Sequence, residues 1–339
     1  MTVLERFLKY AQVETTSSEE SETCPSTSGQ KILGAMLAEE LQAMGVAEAR
    51  MDDHGYVYGT IPAKGRDEAP AIGLIAHMDT SDAVKGKTTP RILRNYPGGP
   101  ILLQNGTVID GFDFLPGLKG MDLVVTSGDS VLGADDKAGV AESLTAVERL
   151  MEEELPHGRV ALCFTPDEEV GHGAALLDLD RFGADFAYTV DGEEIDQVNC
   201  ETFNAAGASW EVHGFNIHPG SAKDVMINAS LVAAEIIAAL PPEETPAHTQ
   251  GYEGFYHLCS VSGDVGHASL SYIIRDHDRE RFEARKDRMR QLAANINACY
   301  GSGTAVLELR DQYYNMAEKI HEHPEVLEKA REAIRAAGG

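Results

Sequence analysis

Ala71-Ile72-Gly73-Leu74-Ile75-Ala76-His77-Met78-Asp79 is apolar for six residues and then turns abruptly to histidine and aspartate. A short run with no polar face predicts a strand buried on both sides, as in a sheet sandwiched between helices. The same transition recurs along the chain. Residues 160–164 lead through Thr165-Pro166-Asp167 to Glu168-Glu169, and residues 186–190 lead to Asp191. Ser130-Val131-Leu132-Gly133-Ala134 runs into Asp135-Asp136-Lys137, after which Val140, Leu144, Val147 and Met151 repeat at helical spacing. Strand, acid and helix therefore alternate, which predicts an α/β domain on a mixed, largely parallel sheet. Ligand sites in such sheets collect outside the carboxyl ends of the strands, so four clusters read as strand ends are expected to converge.

Outward from this frame, residues 30–44 carry Leu33, Leu37, Leu41 and Met44 on one helical face, and Gly45 stands where a helix commonly ends. Residues 56–61 read as a strand. Residues 84–130 are rich in Gly, Pro and Asn and read as a surface excursion. The texture changes after Phe203: strands at 209–213, 255–262, 268–275 and 304–310 alternate with helices at 230–240 and 278–299. The order βαββαβ predicts a ferredoxin-like inserted α+β lid or dimerisation domain. The expected domains are thus 1–203, catalytic and metal-binding; 204–311, the lid; and 312–339, a second piece of the catalytic domain with a helix at 324–337.

A chain of 339 residues exceeds what one core usually organises, in keeping with two domains. Its 55 Asp+Glu against 28 Lys+Arg give a formal charge of −27, which argues against nucleic acid and anionic membrane surfaces as partners. Cys24, Cys163, Cys200, Cys259 and Cys299 form no Cys-x-x-Cys pair and read as reduced thiols of a cytoplasmic protein. Residues 1–11 are an amphipathic helical pattern with Glu5, Arg6 and Lys9 and lack the apolar core of a secretory signal. No apolar run approaches the roughly 20 residues needed to span a bilayer.

Carboxylates with a histidine are the ligands of hydrolytic zinc. Two metals about 3.5–4 Å apart need a bridging carboxylate and a shared water. Asp135 is the bridge candidate, His77 and Asp191 complete one metal, and Glu169 serves the other. Asp79, two residues after His77, is placed to orient the imidazole through its second nitrogen. Adjacent Glu168 and Glu169 cannot both face one metal, which suggests a general base beside a ligand. Taken singly, Asp135-Asp136-Lys137 reads as a helix cap and Glu168-Glu169 as a solvated helix start. Their recurrence in four clusters favours the metal centre.

At Ala76-His77-Met78-Asp79-Thr80-Ser81, Leu132-Gly133-Ala134-Asp135-Asp136-Lys137-Ala138-Gly139 and Thr165-Pro166-Asp167-Glu168-Glu169-Val170-Gly171 the sequence resembles the dizinc aminopeptidase and carboxypeptidase metallopeptidases. Within them it is most similar to the tripeptide aminopeptidases. The likeness extends through Pro25-Ser26-Thr27, Asn95-Tyr96-Pro97-Gly98-Gly99, His218-Pro219-Gly220, residues 251–257 and Tyr313-Tyr314-Asn315-Met316. It implies release of the N-terminal residue from tripeptides by a zinc-activated water, two zinc ions, and a homodimer formed through the lid. By this resemblance His77, Asp135 and Asp191 hold one zinc, Asp135 and Glu169 hold the other, Glu168 is the general base, and the Asp135–Asp136 peptide is cis. His218, Asn228 and Arg275 fall in segments similar to those that contact substrate.

The resemblance also carries a departure. The family takes its last zinc ligand, a histidine, from a region beyond the segment matching residues 324–337, so the chain is expected to lack the C-terminal part of the catalytic domain. The second metal site is then expected to be incomplete and turnover impaired. Two other uses of the same residues remain open at this stage. One is a related dizinc dipeptidase, carboxypeptidase or N-acyl amino acid deacylase; the other is a non-catalytic binding or dimerisation protein.

Overall fold

The computed structural model describes residues 1–192 and 196–338. The chain divides into two compact units, Met1–Glu193 and Glu194–Gly339.

The first unit opens with helices α1 (Val3–Ala11) and α2 (Ser28–Ala43) and strands β1 (Ala47–Met51), β2 (Val57–Ile61) and β3 (Ile72–His77). Short strands β4 (Arg91–Leu93), β5 (Ile101–Leu102), β6 (Val108–Ile109) and β7 (Leu123–Val125) follow, then α3 (Ala134–Glu152), β8 (Val160–Thr165), α4 (Leu179–Phe182) and β9 (Phe186–Thr189). The central sheet has the order β1-β2-β8-β3-β9. β8, β3 and β9 are mutually parallel, whereas β2 is antiparallel to both β8 and β1. Four strands therefore point one way and β2 opposes them, which is the mixed, largely parallel sheet expected.

The apolar faces explain the layering. Leu33, Leu37 and Leu41 of α2, Phe7 and Tyr10 of α1, and Val140, Leu144 and Val147 of α3 are buried together against Val57, Ile61, Leu162 and Phe164. Each such side chain contributes on the order of 1.5–3 kcal/mol, more than any helix-propensity difference in these segments. Tyr56, Tyr58, Ala161, Cys163 and Phe182 form a second, smaller cluster. Alternation along β2 and β8 sends neighbouring side chains to the two clusters, which is why residues 160–164 carry no polar face.

Two sequence expectations need correction here. No strand leads directly into Asp135, the last one before it being β7, which ends at Val125. Thr126 Oγ1 donates to the Ser130 carbonyl at 3.0 Å and Thr88 Oγ1 to the Val131 carbonyl at 2.7 Å. These side chains occupy acceptors that a sheet ladder would use, and Gly133, with φ +74, turns the chain into α3. The excursion at 84–130 is also more ordered than its Gly and Pro content implies. β4 pairs with β7, β5 pairs with β6, and Tyr96, Ile101, Leu103, Leu115 and Val125 form a small core of their own.

The second unit contains β10 (Asn204–His213), α5 (Ala229–Ala238), β11 (Phe255–Gly263), β12 (His267–Asp276), α6 (Arg279–Tyr300), β13 (Ala305–Tyr313), α7 (Ala317–Ile320) and α8 (Pro324–Ala337). The antiparallel order β11-β12-β10-β13 is the ferredoxin-like arrangement expected. Trp210 and Ile274 of the sheet are buried against Val232 and Ile236 of α5 and Phe282, Met289 and Ile296 of α6. β10 begins five residues earlier than the alternation at 209–213 indicates. Ala205, Ala206, Gly207 and Ala208 have poor strand propensity, but β10 is central and pairs along its length with β12 and β13.

The two ends of the four-stranded domain lie side by side. Thr202 N–H donates to Asn315 Oδ1 and Asn315 N–H to Asn204 Oδ1, both at 3.0 Å. Both asparagine amides also donate to the His277 carbonyl. No helix among the described residues is long and apolar enough to cross a membrane.

Candidate metal centre

His77 ends β3, Glu168 and Glu169 follow β8 after a two-residue turn, and Asp191 follows β9. The parallel register sets their relative heights: His77 stands opposite Thr165, and Ile75 opposite Thr189. Asp135 arrives from the other direction, at the start of α3. Neither Asp135 nor Asp136 has helical dihedrals, and the peptide between them is cis, as the resemblance implies.

These elements bring the acids around one ring nitrogen. His77 Nε2 lies 2.8 Å from Asp135 Oδ1, 3.7 Å from Asp191 Oδ2 and 3.8 Å from Glu168 Oε2. His77 Nδ1 faces the Asp79 carbonyl at 3.1 Å and the Asp79 carboxylate at 3.3 Å. Nδ1–H donates to Asp79 and Nε2–H to the Asp135 carboxylate, so Nε2 is the ring atom that would turn its lone pair to a metal ion once that proton is displaced. The Asp79 carboxylate, fully buried, also accepts the backbone N–H groups of Glu168 at 3.0 Å and Glu169 at 3.1 Å. One side chain thus orients the histidine and holds the turn that carries both glutamates.

The donor set fits a cation. His77, Asp135 and Glu169 form one group, and His77, Asp136 and Asp191 another, whose ligand atoms lie within 4.8 Å of one another. A tetrahedral zinc with bonds of about 2.1 Å separates its ligands by about 3.4 Å, close to the distances around Nε2. Electrostatics point the same way. Burial, followed by the charge of Asp135, raises the carboxyl pKa of both Glu169 and Asp191. Glu168 is raised by burial, with Asp191 among the contributing charges. Burial opposes charge on His77, but the hydrogen bond and charge of Asp79 outweigh it and push the ring up to about 10. The crowded negative charge that raises these groups is what a bound metal ion would neutralise, taking the place of the Nε2 proton.

Asp136 is a residue to which the sequence reading gave no role of its own. Its carboxylate is buried, accepting His77 N–H at 3.0 Å and Gly139 N–H at 3.2 Å. Burial, then the charge of Asp191, push its pKa up to about 8. With its oxygens engaged by backbone donors, Asp136 braces β3 against α3. Gly139 has a second constraint: a Cβ there would come within 1.8 Å of the Val190 carbonyl, so only glycine lets α3 approach the strand end that presents Asp191.

With this geometry in view, comparison with known proteins is decisive. The peptidase T of Halothermothrix orenii is 48% identical over 99% of this chain and 84% of its own length, and that of Geobacillus kaustophilus is 47% identical over 99% and 83%. The chain belongs to the peptidase T family. A peptidase dimerisation domain matches residues 200–304, inside the second unit, and an M42 glutamyl aminopeptidase model matches residues 123–225. Among solved structures, the aminopeptidase PepT of Bacillus cereus superposes with a TM-score of 0.70 over 92% of this chain and 76% of that one, at 24% identity, a likeness of fold.

The three residues that the family resemblance associates with substrate all belong to the second unit, and each has a local structural partner. His218 Nδ1 accepts Gly220 N–H at 3.1 Å, and Asn228 Oδ1 caps α5 through Leu231 N–H at 3.3 Å. Arg275 donates to the Ile274 carbonyl at 2.9 Å and lies over the Tyr313 ring. Among the described residues it forms no ion pair; the neighbouring Asp276 is paired with Arg285 instead.

Proposed function

We propose that this protein is a metal-dependent aminopeptidase that removes the N-terminal residue of tripeptides. The observation that carries the reading is the convergence of Asp135, Glu169 and Asp191 on His77, with Glu168 beside them on a turn held by Asp79. His77, Asp135 and Asp191 would hold one metal ion, and Asp135 and Glu169 a second. Two zinc ions in this donor set would polarise the scissile carbonyl and acidify a water shared between them.

The remaining steps belong to the chain. Glu168, fixed through its backbone to Asp79, accepts the proton of the attacking water and passes it to the leaving amine. Burial raises its pKa, which makes it a better acceptor than an exposed carboxylate. Asp79 keeps His77 in the tautomer that leaves Nε2 free. Arg275 is assigned to the peptide's carboxylate, whose planar geometry matches a guanidinium, with His218 and Asn228 contributing polar contacts.

Residues 1–203 are assigned to the catalytic domain, 204–311 to a lid through which two copies pair, and 312–339 to a resumption of the catalytic domain. The dimerisation-domain match supports the pairing. The free cysteines and acidic surface suit a cytoplasmic enzyme acting on short peptides. Membership of the peptidase T family favours a tripeptide substrate over the dipeptidase, carboxypeptidase, deacylase and non-catalytic readings.

The test is Glu168→Gln, assayed on a tripeptide with metal content measured alongside. The proposal expects roughly a 10³-fold loss of kcat with metal retained, a typical general-base contribution. Activity within threefold of the unsubstituted protein would contradict it.

A further inference from the structure

Asp167 immediately precedes Glu168, and its surroundings are tied to a part of the chain that the mechanism above does not use. Its carboxylate is buried and accepts Ser26 N–H at 2.7 Å, Ser26 Oγ–H at 2.5 Å and the Gln30 side-chain amide at 2.7 Å. Gln30, fully buried near the start of α2, returns the contact by accepting Asp167 N–H on its Oε1 at 3.0 Å. One amide side chain therefore donates to the Asp167 carboxylate and accepts from the Asp167 backbone.

Asp167 has φ +56, in the left-handed region that a residue with a side chain adopts only when its surroundings enforce it. That conformation turns the chain so that the next two N–H groups, those of Glu168 and Glu169, point at the two oxygens of Asp79. The turn then closes through His172 N–H to the Asp167 carbonyl at 2.8 Å and Gly171 N–H to the Glu168 carbonyl at 2.7 Å. It is gripped from two sides, by Asp79 after β3 and by Gln30 on α2. Only Asp79 belongs to the site already described.

We infer that Gln30 is a positioning residue for catalysis, which fixes the aim of Glu168 through Asp167, with Ser26 supporting the same carboxylate. This rests on the aminopeptidase reading only for the role of Glu168; the grip itself is geometric. A buried amide serving the fold alone would cost stability when removed and leave the turnover of the folded enzyme unchanged. A positioning residue would lower kcat with little effect on KM, because small misplacements of a reacting group are costly.

The experiment compares the unsubstituted protein with Gln30→Met, which keeps the volume and removes both hydrogen bonds to Asp167 along with the longer ones to Ser26 and Thr27, and with the double variant Gln30→Glu/Asp167→Asn. In the double variant the amide now at position 167 would donate to the carboxylate now at position 30 and to Ser26 Oγ. That carboxylate would in turn accept the backbone N–H of residue 167 as Gln30 does, so both bonds return, the side-chain one with its direction reversed. Tripeptide kinetics, bound metal and amide exchange over residues 168–172 are measured below the unfolding transition of every variant.

Gln30→Met is expected to lower kcat by roughly 30–100-fold with KM within about threefold and metal content unchanged. Exchange in the turn should rise about tenfold or more while the β3 and β8 amides stay protected. The double variant should recover at least about tenfold of the lost kcat. If Gln30→Met does not fold, Gln30→Glu alone against the double variant makes the same comparison. A kcat within threefold despite faster exchange would overturn the inference, as would unchanged exchange, or a double variant no better than the single. If the unsubstituted protein cleaves no tripeptide, the functional reading falls, and exchange alone decides whether Gln30 holds the turn.

Discussion

Glu168 and Asp191 each follow a strand that runs parallel to β3, yet the two turns are held in opposite ways. β8 is an interior strand, and the turn after it is fixed by buried side chains, Asp79 receiving two backbone N–H groups and Asp167 anchored to Ser26 and Gln30. β9 is, with β1, one of the two outer strands of this sheet among the described residues. The chain before Asp191 is held by its last sheet hydrogen bond, Val190 N–H to the Ile75 carbonyl at 2.7 Å, and by the close approach of Gly139. The side chain of Asp191 is 32% exposed, whereas Asp79 is completely buried. On the roles proposed above, a base must be aimed before the reaction, and the hydrogen bonds to Asp79, Ser26 and Gln30 hold the turn that carries Glu168. On the same proposal Asp191 closes on a cation that would itself draw the carboxylate in, and sheet register suffices to bring it near.

That contrast can be broken experimentally. Among variants that act on how the two turns are held, the largest effect is expected for Asp79→Ala, which strips the acceptor from Glu168 N–H and Glu169 N–H and the orienting group from His77. We expect about a 10²-fold loss of kcat on a tripeptide together with weakened metal binding, measured by steady-state kinetics and metal titration. A loss below threefold would show that the turn holds itself.

Gly139→Ala acts on the other turn. A Cβ within 1.8 Å of the Val190 carbonyl and 2.4 Å of Asp136 Oδ1 must push the strand end away from α3 and shift the Asp136 carboxylate. Here metal affinity is expected to fall about tenfold while kcat at saturating metal stays within threefold, because the cation can still recruit Asp191. An equal fall in kcat would mean that Asp191 is aimed as strictly as Glu168, and the contrast between the turns would fail.

Glu40→Gln serves as a control remote from both turns, and its effect is the smallest. Glu40 accepts Arg6 Nε–H and Lys9 Nζ–H, both at 2.8 Å, and although burial opposes its charge these hydrogen bonds hold its carboxyl below the ordinary value. A depressed folded-state pKa contributes stability above the unfolded value and loses it as pH falls through the folded one. The gap between the two proteins in denaturant unfolding should therefore be about 1.5–3 kcal/mol at pH 7 and shrink below roughly pH 4. Its kcat should not change.

The parts legible in the sequence were those where one physical demand dominates. Residues 71–76 must be apolar on both faces, so β3 and the position of His77 could be read directly, as could β8 and β9. The α2 and α3 stripes were equally plain because three helices bury their faces in one core. Where several weak demands compete, the reading slipped. The approach to Asp135 is apolar enough to resemble a strand, but Thr88 and Thr126 take its carbonyls. The early part of β10 is Ala and Gly, and only pairing on both sides makes it a strand. Asp136, Asp167 and Gln30 could not be assigned because their roles rest on contacts across 59 to 137 residues that no local spacing encodes. The Asp167-Glu168-Glu169 acid run held a clue: three adjacent acids cannot all serve one site, so one of them had to face inward.

The central claim is that the cluster around His77 makes this protein a metal-dependent enzyme that opens tripeptides from the amino end. Product analysis tests it most directly: a tripeptide of three different residues is incubated with the metal-loaded protein and the fragments are identified by mass spectrometry. The account predicts the free N-terminal residue and the C-terminal dipeptide, abolished by a chelator and restored by added zinc. Release of the C-terminal residue, cleavage indifferent to chelation, or an intact tripeptide in the presence of fully metal-loaded protein would contradict it.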